Sequence, residues 1–62
     1  MSKKELKKLA KEIANYEKIC QGAAEYAEKE KARQKIIELT EQIYNLEDLL
    51  VLDTLIQDYL SW

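Results

Sequence analysis

The chain has no histidine, proline or phenylalanine, and only one cysteine, one glycine, one methionine and one tryptophan among 62 residues. Each absence removes a class of explanation. Without histidine, and with Cys20 alone, cysteine and histidine metal sites and an internal disulfide are excluded. The few Ser and Thr residues and Cys20 have no evident base beside them, so no nucleophile and base arrangement can be assembled. There is no glycine-rich phosphate loop, and no apolar run approaches the roughly 20 residues that span a bilayer. The last deficit is one of charge, since no Lys or Arg follows Lys35. Residues 1–35 hold ten Lys/Arg against six Glu, net +4, and residues 36–62 hold six carboxylates and no cation, net -6. An antiparallel arrangement, within one chain or between two, would bring these ends together.

What remains favours helix throughout. Ala, Leu, Glu and Lys are abundant, and no segment alternates apolar and polar residues as a half-buried strand would. The expected fold class is all-α, in a single domain over residues 1–62. A chain this short buries only about 60% of its unfolded surface, so a partner is expected to complete its core. Ser2 followed by Glu5 is a capping box that starts a first helix over 3–21. Along it Leu6, Leu9, Ile13, Tyr16, Cys20, Ala23 and Ala27 recur at spacings of three and four, a heptad seam. Gly22 is where that helix is expected to stop, in the left-handed conformation common at such ends. The alternative is one long helix in which Gly22 costs about 1 kcal/mol relative to Ala.

A second helix is expected over 24–44, with Ala32, Ile36, Ile37, Leu39, Ile43 and Tyr44 on its apolar arc. Asn45 before Leu46, Glu47 and Asp48 is an N-cap followed by acids where the helix dipole is positive, which predicts a third helix over 46–60. If the second helix ran on through Asn45 instead, the result would be a long hairpin, so a two- or three-helix bundle is expected, completed by dimerisation. In the last helix Leu46, Leu49, Val51, Leu52, Leu55, Ile56, Tyr59, Leu60 and Trp62 span roughly 220°, wider than the 100° or so that one packing face needs, and Leu50 lies further round still. The expected interface is accordingly Leu49, Leu52, Leu55, Ile56, Tyr59, Leu60 and Trp62. Asp53 falls within that arc. It is expected either to pair with Lys11, Lys18, Arg33, a helix N-terminus or another molecule, or to reach water at the bundle margin.

The basic face of the first helix, Lys4, Lys7, Lys8 and Lys11 with Lys3 and Lys18, could contact phosphates. No arginine in that helix is there to read a base, and no aromatic residue interleaves with the lysines. A solvated face, or a match for the acidic half, explains them more simply. The segments KLAKEIANYEKICQ at 8–21 and IIELTEQIYNLEDLLVLDTLIQDYL at 36–60 resemble those of small helical proteins from low-GC Gram-positive bacteria, their phages and mobile elements. The position before the LED segment is often Ser in such sequences, which suits a capping Asn45. The stretch from Gly22 to Arg33 departs most. The resemblance implies no particular activity, but a phage or mobile-element setting would favour an inhibitor or adaptor of a host protein.

The expected function is thus a non-enzymatic helical interaction module, a homodimer or a binder of another protein, without cofactor, metal or membrane. The alternative is a small nucleic-acid-associated regulator using the lysine face. A single free thiol and no signal peptide before the first helix suit the cytoplasm.

Overall fold

A computed structural model describes residues 2–61. It contains three α-helices, α1 at Lys3–Gln21, α2 at Tyr26–Thr40 and α3 at Leu46–Leu60. The limits of α1 and α3 are those the sequence predicts. The Ser2 hydroxyl accepts a hydrogen bond from the Glu5 backbone N–H at 3.2 Å and lies 3.1 Å from the Glu5 carboxylate, to which it donates. Asn45 caps α3 by accepting from the Glu47 N–H at 2.8 Å, with Glu47 and Asp48 in the first turn. Each such cap stabilises its helix by about 1 kcal/mol.

α2 is shorter than expected at both ends. It has no side-chain cap at Glu25 and stops at Thr40, so Ile43 and Tyr44 belong to the connection to α3. Leaving the helix lets Ile43 turn inward, where it is buried in the same apolar cluster as Leu6, Leu9 and Leu52. Gly22 does end α1, but not as expected. Its backbone is extended, with φ -88° and ψ -167°, and its N–H bonds the Ile19 carbonyl at 3.3 Å. A Cβ there would lie 3.1 Å from the Lys18 carbonyl oxygen, so close approach of backbone to backbone explains the glycine better than left-handed geometry does.

The two short connections reverse the chain twice, so α2 runs antiparallel to α1 and α3 runs parallel to it. Cys20 near the end of α1 lies 3.7 Å from the Lys29 carbonyl near the start of α2. Charge does not set the chain direction. The acidic α3 lies beside the basic α1 with the same polarity, contrary to the antiparallel expectation, because connection length and apolar burial decide it. The ion pairs Arg33–Glu30 and Lys35–Glu38, both 3.6 Å, lie within α2, and neither joins two helices.

α1 packs against both α2 and α3, whereas no Cα of α2 comes within 8 Å of one in α3. The helices therefore form a layer in the order α2, α1, α3. The shape agrees, at 34 × 24 × 15 Å and a radius of gyration of 11.7 Å, against about 10.6 Å for a compact chain of this length. Two-sided use of α1 explains why Ala10 and Ala14, absent from the predicted seam, are 0% and 2% exposed. Small residues let a neighbouring helix come close. The seam residues Leu6, Leu9 and Ile13 are buried as expected, Tyr16 and Cys20 are half-buried, and Ala23 and Ala27 are exposed. On α2, Ala32 is buried, but Ile37 and Tyr44, expected on the packed arc, are exposed. Ala10→Leu should force the helices apart and cost about 1–3 kcal/mol by overpacking, read as a lowered urea midpoint. An unchanged midpoint would mean that α1 is not gripped from two sides.

Candidate interaction surface

Because α2 and α3 stand apart, one face of the layer carries a groove. Its floor is Ile13, Glu17 and Gln21 of α1, and Ile36 and Thr40 of α2 form one wall. Leu49, Leu52, Asp53, Ile56, Gln57 and Leu60 of α3 form the other. It holds about 320 Å³, near the lower limit of ordinary ligand pockets, and is open to solvent. Its lining is mixed, with Ile13, Ile36, Leu49, Leu52, Ile56 and Leu60 beside Glu17, Gln21, Thr40, Asp53 and Gln57. The Thr40 hydroxyl is already committed to the Ile36 carbonyl at 2.7 Å. No buried side-chain polar atom among the described residues lacks a hydrogen-bond partner, so none is aimed into the groove awaiting a polar ligand. Among the described residues no cluster of three acids or thiols could hold a metal ion. No helix there is long and apolar enough to cross a membrane.

The residues expected at the interface divide in three. Leu52 is 2% exposed and belongs to the chain's own core, so it is unavailable to a partner. Leu49, Leu55, Ile56 and Tyr59 are half-buried against that core. Of these, Leu49 and Ile56, together with half-buried Leu60, face the groove, while Tyr59 lines a depression with Lys11 and Lys18 on the other side of α3. Trp62 lies outside the described residues. Leu46, on the wide apolar arc, and Leu50, further round, were not among the expected interface residues, yet they are 70% and 62% exposed. At about 100° per residue they continue the groove wall outward from Leu60. Val51, also exposed, lies on the opposite edge. Their signal was in the sequence, since Leu46 at the edge of the 220° arc and Leu50 beyond it lie where a single neighbour cannot cover them.

Asp53 is exposed at the groove rim, which removes the buried alternative and leaves the marginal one. Of its expected partners, Arg33 lies on α2 across the open groove, where it approaches Glu30 instead. Lys4, Lys7, Lys8 and Lys11 are exposed, as a solvated face requires. Comparison with protein-family models, with curated proteins and with solved structures finds no match for this chain.

Leu52→Glu and Leu50→Glu should therefore differ sharply although the residues are two apart. A carboxylate at the Leu52 position cannot be solvated within the core and should unfold the chain, while Leu50→Glu should keep the helical circular dichroism of the wild type. Equal loss of helix in both variants would show that Leu50 is not on the surface.

Proposed function

We propose that the chain is a non-enzymatic helical interaction module that acts as a homodimer, with the groove face as its contact surface. The observation that carries this reading is the unpaired separation of α2 and α3, with exposed leucines at the edge of the gap. The chain exposes 4811 Å², against about 4,200 Å² for a compact protein of its mass. The excess of roughly 600 Å² approaches the 800 Å² or so that each partner contributes to a standard interface. Burying apolar groove walls stabilises an assembly by about 25 cal/mol per Å² before ordering costs. A cytoplasmic setting suits the single free thiol. Action as an inhibitor or adaptor on a host protein rests on the resemblance to phage and mobile-element sequences and uses the same face.

The second reading, a nucleic-acid-associated regulator, is supported by the exposure of Lys4, Lys7, Lys8 and Lys11 along one face of α1. Salt separates the two. Phosphate contacts weaken steeply as salt rises, whereas apolar association hardly changes. Sedimentation equilibrium at about 100 μM should show a dimer that persists in high salt, and Leu50→Glu should convert it to a folded monomer. A wild-type monomer at that concentration would remove self-association. Replacing Lys4, Lys7, Lys8 and Lys11 together by Glu should leave helix content and dimer mass unchanged at about 150 mM salt. Loss of the dimer under those conditions would place the lysines in the contact.

A further inference from the structure

We infer that the groove face binds a basic amphipathic helix of another protein, laid along α3 with a Lys or Arg of that helix on Asp53. The inference rests on the reading of this face as the contact surface. Leu46, Leu49, Asp53, Ile56 and Leu60 follow one another at spacings of three and four, the seam along which one helix pairs with another. At about 100° per residue they share an arc of roughly 80°. Four of the five line the groove, and Leu46, 70% exposed, extends the seam beyond it. The seam has no partner on its own chain, since no Cα of α2 comes within 8 Å of one in α3. At about 320 Å³ the groove admits side chains rather than a helix backbone, so the partner lies across its mouth with its apolar anchors pointing in.

The charge of the lining identifies the partner's chemistry. Its two ionisable members, Glu17 and Asp53, are both acids, and no cation lines the groove. Neither carboxylate takes part in the ion pairs or side-chain hydrogen bonds among the described residues. Lys29 and Arg33 stand further along α2, outside the lining, and Glu30 lies 3.6 Å from Arg33. A wholly apolar partner would strip water from Glu17 and Asp53 and leave both charges unpaired. A Lys or Arg replaces that water with a charge-assisted hydrogen bond. A single polar residue within a seam thus selects the partner as well as the register. No Lys or Arg follows Lys35, so all of α3 draws an approaching cation towards this face.

A second copy does not supply such a helix. On α1 the lysines are exposed, but Leu6, Leu9 and Ile13 are buried in its own core, and among the described residues Ile19 is its one large apolar side chain left exposed. α2 exposes Tyr26 and Ile37, yet its Lys29, Lys31, Arg33 and Lys35 stand among Glu28, Glu30 and Glu38, so its charge nearly cancels. A second copy can cover the aliphatic lining, and a helix that joins apolar anchors to a cationic face displaces it.

The test titrates the full chain with three synthetic helical peptides of about 18 residues, five turns of helix. They share one leucine seam and carry Lys, Gln or Glu at its middle and flanking positions. In calorimetry at about 150 mM salt the Lys peptide should bind one per chain, and the Gln and Glu peptides at least about tenfold more weakly. The variant that combines Glu17→Gln with Asp53→Asn should bind the Lys peptide no better than wild type binds the Gln peptide. Asp58→Asn, on the same helix but outside the lining, should bind the Lys peptide within about threefold of wild type. All these changes conserve shape, so circular dichroism should match wild type. In sedimentation the Lys peptide should replace the second copy and give a one-to-one complex. Equal binding of the Lys and Gln peptides, an equal loss in Asp58→Asn, no binding of the Lys peptide, or its binding to an intact dimer would each overturn the inference. If wild type is nonetheless a dimer at about 100 μM, the homodimer reading stands without it; if wild type is a monomer that binds no peptide, both fall.

Discussion

The packing of two helices on opposite flanks of α1, through contacts that include buried alanines, is the constraint on which the rest of this structure depends. In a closed three-helix bundle each helix touches two others, and the core is sealed by the chain itself. Here α1 is the only helix among those described that touches both of the others. Ala10 and Ala14 add a second buried flank beside the leucine and isoleucine seam. The result is a layer with an open groove on one side, lined by aliphatic and polar side chains together. That side is covered at one end by Ile43 and open where Glu17, Gln21 and Leu60 meet.

An incomplete core has a direct consequence for stability. A chain of this size buries too little surface to be robust alone, and this one buries less than a compact chain would. Large side chains wholly inside the core are few, and Leu6, Leu9, Ile13 and Leu52 carry most of the burial, each stabilising the fold by about 1.5–3 kcal/mol. Covering the groove with more aliphatic surface would link folding to association, since any ligand that binds only the folded chain stabilises it by mass action. In the proposed dimer, fold and association would therefore draw on the same residues. Leu49 and Ile56 pack against the chain's own core with one side and line the groove with the other.

Much of this was legible in the sequence, for identifiable reasons. The limits of α1 and α3 could be read because their caps are local chemistry, a serine with a glutamate three residues on and an asparagine before two acids. The bounds of α2 could not, because its ends depend on where Ile43 is needed in the core, which is a tertiary matter. Gly22 marked a helix end correctly, but its conformation followed from the Lys18 carbonyl rather than from the preference of isolated helix ends. The width of the apolar arc on α3 signalled that part of it would stay uncovered by the chain, as Leu46, Leu50 and Val51 do. It could not say which side faced home, so Leu52 was expected at the interface, and Leu46 and Leu50, on the arc and beyond it, were left out of that set. Ala10 and Ala14 were hidden because alanine carries almost no hydrophobic signal, and their burial appears only once a helix is known to pack on two sides.

The central claim is that a second copy covers the apolar face between α2 and α3. The most direct measurement is isotope-filtered NMR on a dimer mixed from labelled and unlabelled chains, which detects contacts between copies and ignores those within one. The account predicts intermolecular contacts at the methyl groups of Ile37, Leu50 and Leu60, with none along the lysine face of α1. Intermolecular contacts confined to that lysine face, or to the opposite edge at Val51, would contradict it.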